Sequence, residues 1–249
     1  MVSWKTTSPH LPIDLFPIIL IQAAKIYQLT CGSGSESGQE RRWANGGIVR
    51  IDRSLYNYQK PADMGKRPQV FGSIPGVPVG QLFQSREECC WAGCHRTTVS
   101  GISGSVGLGG VVSVALSGGY PDDLDYGHCF TYTGSGGRDL KGTAAKPKNL
   151  RTGPQVKDQE LTGFNLALTL NADDPDNKPV RVIRGFKAGK FAPAAGYRYD
   201  GLYVVRRWWY AVGVEGFKVI KFAFERVKDQ DPPPWEIDAE GNEEEFEEK

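Results

Sequence analysis

Three histidines, two methionines and five cysteines among 249 residues leave little material for metal or nucleophile chemistry. His10, His95 and His128 lie far apart, and none is accompanied by a second histidine or a Cys-x-x-Cys at metal-ligand spacing. Cys89, Cys90 and Cys94 lack a fourth ligand nearby and read better as a buried or amphipathic helix face than as a zinc site. The His-x-Glu and Pro-Cys-x-x-Cys pair of the zinc deaminases is absent. Counting Cys31 and Cys129, the cysteines are odd in number and unevenly spaced in a chain too large to need staples, so reduced thiols of an intracellular compartment are expected. Long apolar runs are missing too. Residues 11–24 are interrupted by Pro12, Asp14 and Pro17 and preceded only by Lys5 as a cation, too short for a bilayer span and a poor secretory signal.

Net charge is scarce only in sum. Thirty Lys and Arg against 29 Asp and Glu give +1, but residues 229–249 carry a net −9 and residues 1–228 a net +10. A basic body with an acidic end suggests a polyanionic partner, and the composition excludes a collagenous, wholly disordered or multi-pass membrane protein.

Glycine and proline are plentiful, 31 and 16 residues. After Phe71 glycine turns separate short β-branched and aromatic runs: VVSVAL at 111–116, FTYT at 130–133, PVRVIRG at 179–185, LYVVRRWWYAV at 202–212 and FKVIKFAFERV at 217–227. Such spacing predicts a largely antiparallel sheet or barrel. Ser85 with Glu88 three residues on has capping-box spacing, and residues 159–170 predict a second helix stopped by Asn171. The expected organisation is an irregular extension over 1–70, an α+β but mainly β domain over 71–236, and a disordered acidic tail over 237–249.

The carboxylates Asp122, Asp123 and Asp125 form one compact cluster that could hold a divalent ion for phosphodiester cleavage, but no positioned lysine or histidine pair accompanies them. His128 and Cys129 are adjacent, and strand neighbours point to opposite faces. The glycine-rich residues 134–137 lack a Walker lysine and read as a turn between strands. What remains is the dense block 117–140, SGGYPDDLDYGHCFTYTGSGGRDL. It joins two separated tyrosines, Tyr120 and Tyr132, to a carboxylate, Asp123, and to bare glycine backbone. Aromatic planes can sandwich a base, a carboxylate can accept from cytosine's exocyclic amine, and glycine amides can reach its carbonyl oxygen. The alternative reading of the same residues is core tyrosines plus a turn carboxylate.

This block resembles the SRA (SET- and RING-associated, or YDG) domain family. The likeness begins at FGSIPGVPVGQLF (71–83) and continues through Gly93-Cys94-His95-Arg96, VSGISG (99–104) and the block itself. It then runs through residues 161–170 with Asn165, KPVRVIRG (178–185) and YRYDGLYVV (197–205), which contains Tyr199-Asp200-Gly201, and ends at PPPW with Trp235. Roughly 165 of the 249 residues are covered, in order. The resemblance implies a PUA-like twisted β-barrel with a few flanking helices that grips double-stranded DNA and flips a modified cytosine out of it. Carried over, Tyr120 and Tyr132 stack on the base, while Asp123 and the Thr133 main chain meet its Watson-Crick edge. Backbone of Ser117, Gly118 and Gly119 meets its oxygen, and Ser135 with Tyr120 lines the 5-methyl space. Val99 stands where the family inserts a loop residue into the gap.

In the vertebrate maintenance-methylation member the loop after GRDL carries an Asn-Lys-Arg finger. Here the corresponding stretch is Lys141-Gly142-Thr143-Ala144-Ala145-Lys146, followed by Lys148 and Arg151, so phosphate contact is expected in place of base readout. Ser117 replaces a small apolar residue. The resemblance implies no catalytic residue, metal or cofactor. It implies nuclear localisation and, as partners, DNA containing 5-methylcytosine, hemi- or fully methylated, with chromatin proteins beside it and no membrane.

Overall fold

The computed structural model describes residues 69–121, 123–138, 153–176 and 178–236, all within the second of the chain's two units, Val49–Lys249. The expected N-terminal extension up to residue 68 and the acidic tail lie outside the described residues.

Strands form where apolar and β-branched residues run together: β1 Leu82–Phe83, β2 Ile102–Ser105, β3 Gly110–Leu116, β4 Cys129–Thr133, β5 Val180–Gly185, β6 Tyr197–Val212 and β7 Lys218–Arg226. They make one sheet ordered β2-β3-β5-β6-β7-β4, with β1 on β6. The β3–β5 pair is parallel and the others are antiparallel. The sheet curls. Ile102 from one edge strand and Phe130 and Tyr132 from the other share a single core with Val114, Val182, Tyr203, Phe222 and Phe224. A second core joins Ala115 and Ile183 to Phe83, Cys89 and Cys94, so β3 and β5 are buried on both faces, which is why they read as near-continuous apolar runs. Mainly β with few helices is the architecture the sequence predicted.

Helix α1, Arg86–Trp91, starts as its capping residues require: Ser85 Oγ accepts from the Glu88 amide at 3.3 Å. The Glu88 carboxylate returns to the Gln84 amide at 2.7 Å, one residue before the reciprocal partner of a capping box. Cys89 and Cys90 are buried on this helix, as the helix-face reading expected. Helix α2, Gly163–Ala172, corrects the expectation of 159–170. Gln159 is spent elsewhere: its Nε2 donates to Gly134 O at 2.7 Å and its Oε1 accepts from Ile220 N at 2.9 Å. Asn171 does not stop the helix but sits inside it, bonded through its side chain to both backbone groups of Val111. Among the described residues no helix is long and apolar enough to cross a membrane.

Two arginines of β5 are fully buried and organise the surroundings of the site. Arg181 donates to Cys94 O, Val70 O and Gly72 O, tying down the chain that enters the domain. Arg184 lies between Asp125, at 2.8 Å through two nitrogens, and Asp200, at 2.7 Å. Its guanidinium also sits 4.9 Å from the Trp235 ring, so the last motif of the sequence closes over the same charge.

Candidate nucleic-acid interface

The candidate pocket is built on the end of β4 and the two loops beside it. The segment after β3 needs glycine at one point: a Cβ on Gly118 (φ 66°) would lie 2.2 Å from the Lys187 carbonyl. Ser117 and Gly119 are exposed. Tyr120 is half-buried, with the Arg138 guanidinium 4.0 Å over its ring and Arg138 Nη2 donating to Gly119 O at 2.5 Å. A cavity of about 320 Å³ on this side is lined by Tyr120 and Arg138 but by neither Asp123 nor Tyr132, so it adjoins the candidate pocket and is not the pocket itself.

Tyr132 is buried, and its hydroxyl donates to Gly101 O at 3.1 Å, tying β4 to the residue just before β2. Gly101 must be glycine here, because a Cβ would fall 2.6 Å from that hydroxyl. Burial pushes the Tyr132 phenol well up, and Asp123 and Tyr120 add to the shift. Tyr132 is thus a core residue, at 8% exposure, on the strand that also carries Thr133.

Asp123 Oδ1 accepts from Thr133 Oγ1 at 2.7 Å and from Lys221 Nζ at 2.8 Å, and Lys221 Nζ also donates to Thr133 Oγ1 at 2.7 Å. Burial raises the Asp123 carboxyl above its ordinary 3.8, while the charge and hydrogen bond of Lys221, then the hydrogen bonds of Thr133, hold part of that rise back. The sequence reading assigned Thr133 a main-chain role only and missed Lys221 altogether. A lysine at the centre of the apolar run VIKFAF was the available signal, since buried lysines are rare without a partner.

Ser135 is clamped by Asn165 of α2, whose Oδ1 accepts from the Ser135 amide at 2.8 Å and whose Nδ2 donates to Ser135 O at 2.9 Å. Gly134 leaves room for this clamp: a Cβ there would lie 2.5 Å from Asn165 Oδ1.

Val99 is 57% exposed at the tip of a stiff loop. Arg86 Nη2 donates to Thr97 O at 2.9 Å and also to Ser100 O, and buried His95 bridges Ser113 Oγ, Ser100 O and Thr97 Oγ1. Burial drives the His95 pKa down to about 3, so the bracing imidazole is neutral near pH 7.

The carboxylate cluster does not stay together as a metal site. Asp123 is engaged by Lys221 and Asp125 by Arg184, and Asp122 lies outside the described residues. Among the described residues no group of three His, Cys, Asp or Glu side chains is placed to hold a metal ion. The Tyr199-Asp200-Gly201 motif is structural: Asp200 is buried against Arg184 and Arg198, and a Cβ on Gly201 would strike Gln230. The basic-loop residues Lys141, Thr143, Ala144, Ala145, Lys146, Lys148 and Arg151 lie outside the described residues.

A model of the SAD/SRA domain matches residues 70–230. A UHRF1-like protein of Cryptococcus neoformans var. grubii is 53% identical over 170 residues, which cover 67% of this chain and 49% of that protein. The E3 ubiquitin-protein ligase UHRF1 of Rattus norvegicus is 46% identical over 218 residues, 82% of this chain and 26% of that one. The chain thus spans about half and about a quarter of these relatives' lengths. Among solved structures, the SUVH5 SRA domain in complex with fully methylated CG DNA superposes with a TM-score of 0.53 at 38% identity, over 67% of this chain and 100% of that one. The modification-dependent TagI restriction endonuclease superposes at 0.57 and 38% identity, over 65% of this chain and 54% of that one.

Proposed function

The chain belongs to the SAD/SRA domain family, and on that premise we propose that it is a non-catalytic reader of 5-methylcytosine in double-stranded DNA, acting in the nucleus on chromatin. The observation that carries this reading is the Asp123 carboxylate held by Lys221 and by Thr133, the residue after Tyr132 on β4, while the Asp123 amide donates to Tyr120 O at 3.3 Å. Two aromatic faces contribute about 1–3 kcal/mol per stacked base and offset the few kcal/mol of flipping, with phosphate contacts adding to the balance. Asp123 accepts from the exocyclic amine, backbone of Ser117, Gly118 and Gly119 meets the base oxygen, and Ser135 borders the methyl group. Val99, exposed on its braced loop, fills the space the base vacates. The methyl group contributes about 1–3 kcal/mol, so selectivity over unmodified cytosine is real and modest.

SUVH5 SRA domains in complex with hydroxymethylated and hemimethylated CG DNA have the same fold as this chain, with TM-scores of 0.53 and 0.51. Their ligands support a pocket that takes either mark, in hemi- or fully modified duplexes. Lysines and Arg151 in residues 141–151 supply phosphate contact without an Asn-Lys-Arg finger, so strict preference for the hemimethylated strand is not expected.

Equilibrium titration of methylated, hemimethylated and unmodified duplexes at one salt concentration tests this function. The reading expects tighter binding of the methylated forms, and Asp123→Ala should leave only weak, salt-sensitive binding. Equal affinity of the wild type for all three duplexes defeats it.

A further inference from the structure

We propose that Lys221 is a positioning residue that makes Asp123 an obligate hydrogen-bond acceptor, so that the pocket takes 5-methylcytosine and refuses thymine, which carries the same methyl group. The inference rests on the reader function above and adds a specificity that neither the family match nor the relatives assign.

The argument begins with which atom carries which proton. Thr133 and Lys221 are directly opposed across the β4–β7 ladder, so their side chains share a face. Lysine only donates, so the Thr133 hydroxyl accepts from Lys221 Nζ at 2.7 Å and must turn its own hydrogen elsewhere. That hydrogen goes to Asp123 Oδ1 at 2.7 Å, where Lys221 Nζ also donates at 2.8 Å. Both side-chain donors therefore converge on Oδ1, and among the described residues no side chain donates to Oδ2. With these side chains spent on Oδ1, and the Thr133 amide also bonded to the carboxylate, Oδ2 keeps a lone pair with which it can accept from an incoming base.

Cytosine presents an amine donor at position 4 and thymine a carbonyl acceptor. With the base oxygen held by the glycine backbone, position 4 falls opposite Oδ2, where an ionised carboxylate accepts from the amine and repels the carbonyl. A protonated Oδ2 could donate to either base, and the distinction would vanish. Lys221, only 6% exposed, opposes that protonation in a pocket whose burial favours it. Among the described residues, the other groups that act on Asp123 are Thr133, through its hydroxyl and its amide, and Tyr132 beside it on β4, whose phenol burial keeps neutral. Discrimination is therefore present above the raised Asp123 pKa and is lost as pH falls through it. Removing the Lys221 charge moves that loss to higher pH.

The test measures affinities for duplexes carrying 5-methylcytosine opposite guanine, thymine opposite guanine, and cytosine opposite guanine, from pH 5 to 8. Mismatched thymine flips more easily than a paired base, so the quantity read is the change in the methylcytosine-to-thymine affinity ratio between proteins. At pH 7.5 Lys221→Met should lower that ratio about tenfold and Lys221→Arg should keep it within about twofold, in line with a single base-edge contact. Asp123→Asn gives a second route should Lys221→Met not fold. Lys221 and Thr133 would hold the amide oxygen and turn its NH₂ toward the base, inverting the preference toward thymine. An unchanged ratio in Lys221→Met at every pH, or a methylcytosine preference retained by Asp123→Asn, overturns the proposal. A wild type that does not separate methylcytosine from cytosine fails the reader function instead.

Discussion

Asn165 grips Ser135 by both backbone groups, accepting its amide at 2.8 Å and donating to its carbonyl at 2.9 Å, while the same Nδ2 donates to Glu160 O at 2.8 Å. The first turn of α2 thus fixes the loop proposed to border the methyl group. Asn165 is 1% exposed, so Asn165→Ala removes three part-buried hydrogen bonds to the backbone of Ser135 and Glu160, at a cost of up to about 1–3 kcal/mol for each group left unpaired. Urea unfolding should show a loss of about 2–4 kcal/mol, together with weaker binding of methylated duplex by the fraction that remains folded. Unchanged stability would mean that the loop does not depend on this clamp.

Val99 separates affinity from stability. It is exposed, and the loop beneath it is held by Arg86 and His95, so Val99→Gly should leave the melting temperature nearly unchanged. Burying a valine side chain contributes about 1.5–3 kcal/mol, so methylated-duplex affinity should fall by roughly tenfold or more. A fall in melting temperature without a change in affinity would contradict the insertion role.

Asp125 distinguishes a structural carboxylate from a metal ligand. Arg184 is fully buried and meets Asp125 through two nitrogens, so Asp125→Ala leaves Arg184 to share Asp200 with Arg198, at a cost of up to about 3–5 kcal/mol. If Asp125 instead served a divalent ion, Mg²⁺ or Mn²⁺ would raise the melting temperature of the wild type. No shift is expected, and methylated plasmid should stay intact.

His95 predicts an acid-labile fold. Its folded pKa, about 3, lies below its ordinary 6.5, so the unfolded chain binds the proton first. Its contribution is whole above pH 6.5 and is lost as pH falls from there toward 3, by up to about 1.4 kcal/mol per pH unit. Asp123, whose carboxyl is raised, acts in the opposite sense, so the comparison needed is with His95→Gln, in which the other groups cancel. The variant should show a flatter dependence of the urea midpoint on pH.

Much of this was legible in the residues. The five runs singled out for β-structure overlap β3 to β7, because β-branched alternation and glycine turns are local signals, although β6 begins at Tyr197, five residues before its run. The short strands β1 and β2 were missed, since Leu82–Phe83 and Ile102–Ser105 carry too few residues for any periodicity. Helix α2 was started four residues early because Gln159 looks like a helix former, and its actual work, bonding Gly134 and Ile220, is set by tertiary contacts. In the candidate site, Tyr120, Asp123 and Tyr132 all fall within the single block 117–140. Lys221 lies 98 residues beyond Asp123 and Arg184 lies 59 beyond Asp125, so the pairings that give these carboxylates separate roles exist only once the strands are in register.

A crystal structure of the protein with a hemimethylated duplex tests the central claim most directly. The account predicts the 5-methylcytosine rotated out of the stack, its rings between Tyr120 and Tyr132 and its exocyclic nitrogen within hydrogen-bonding distance of Asp123 Oδ2. A methylated base still paired inside the duplex, or flipped into the cavity beside Arg138 away from Asp123, would contradict it.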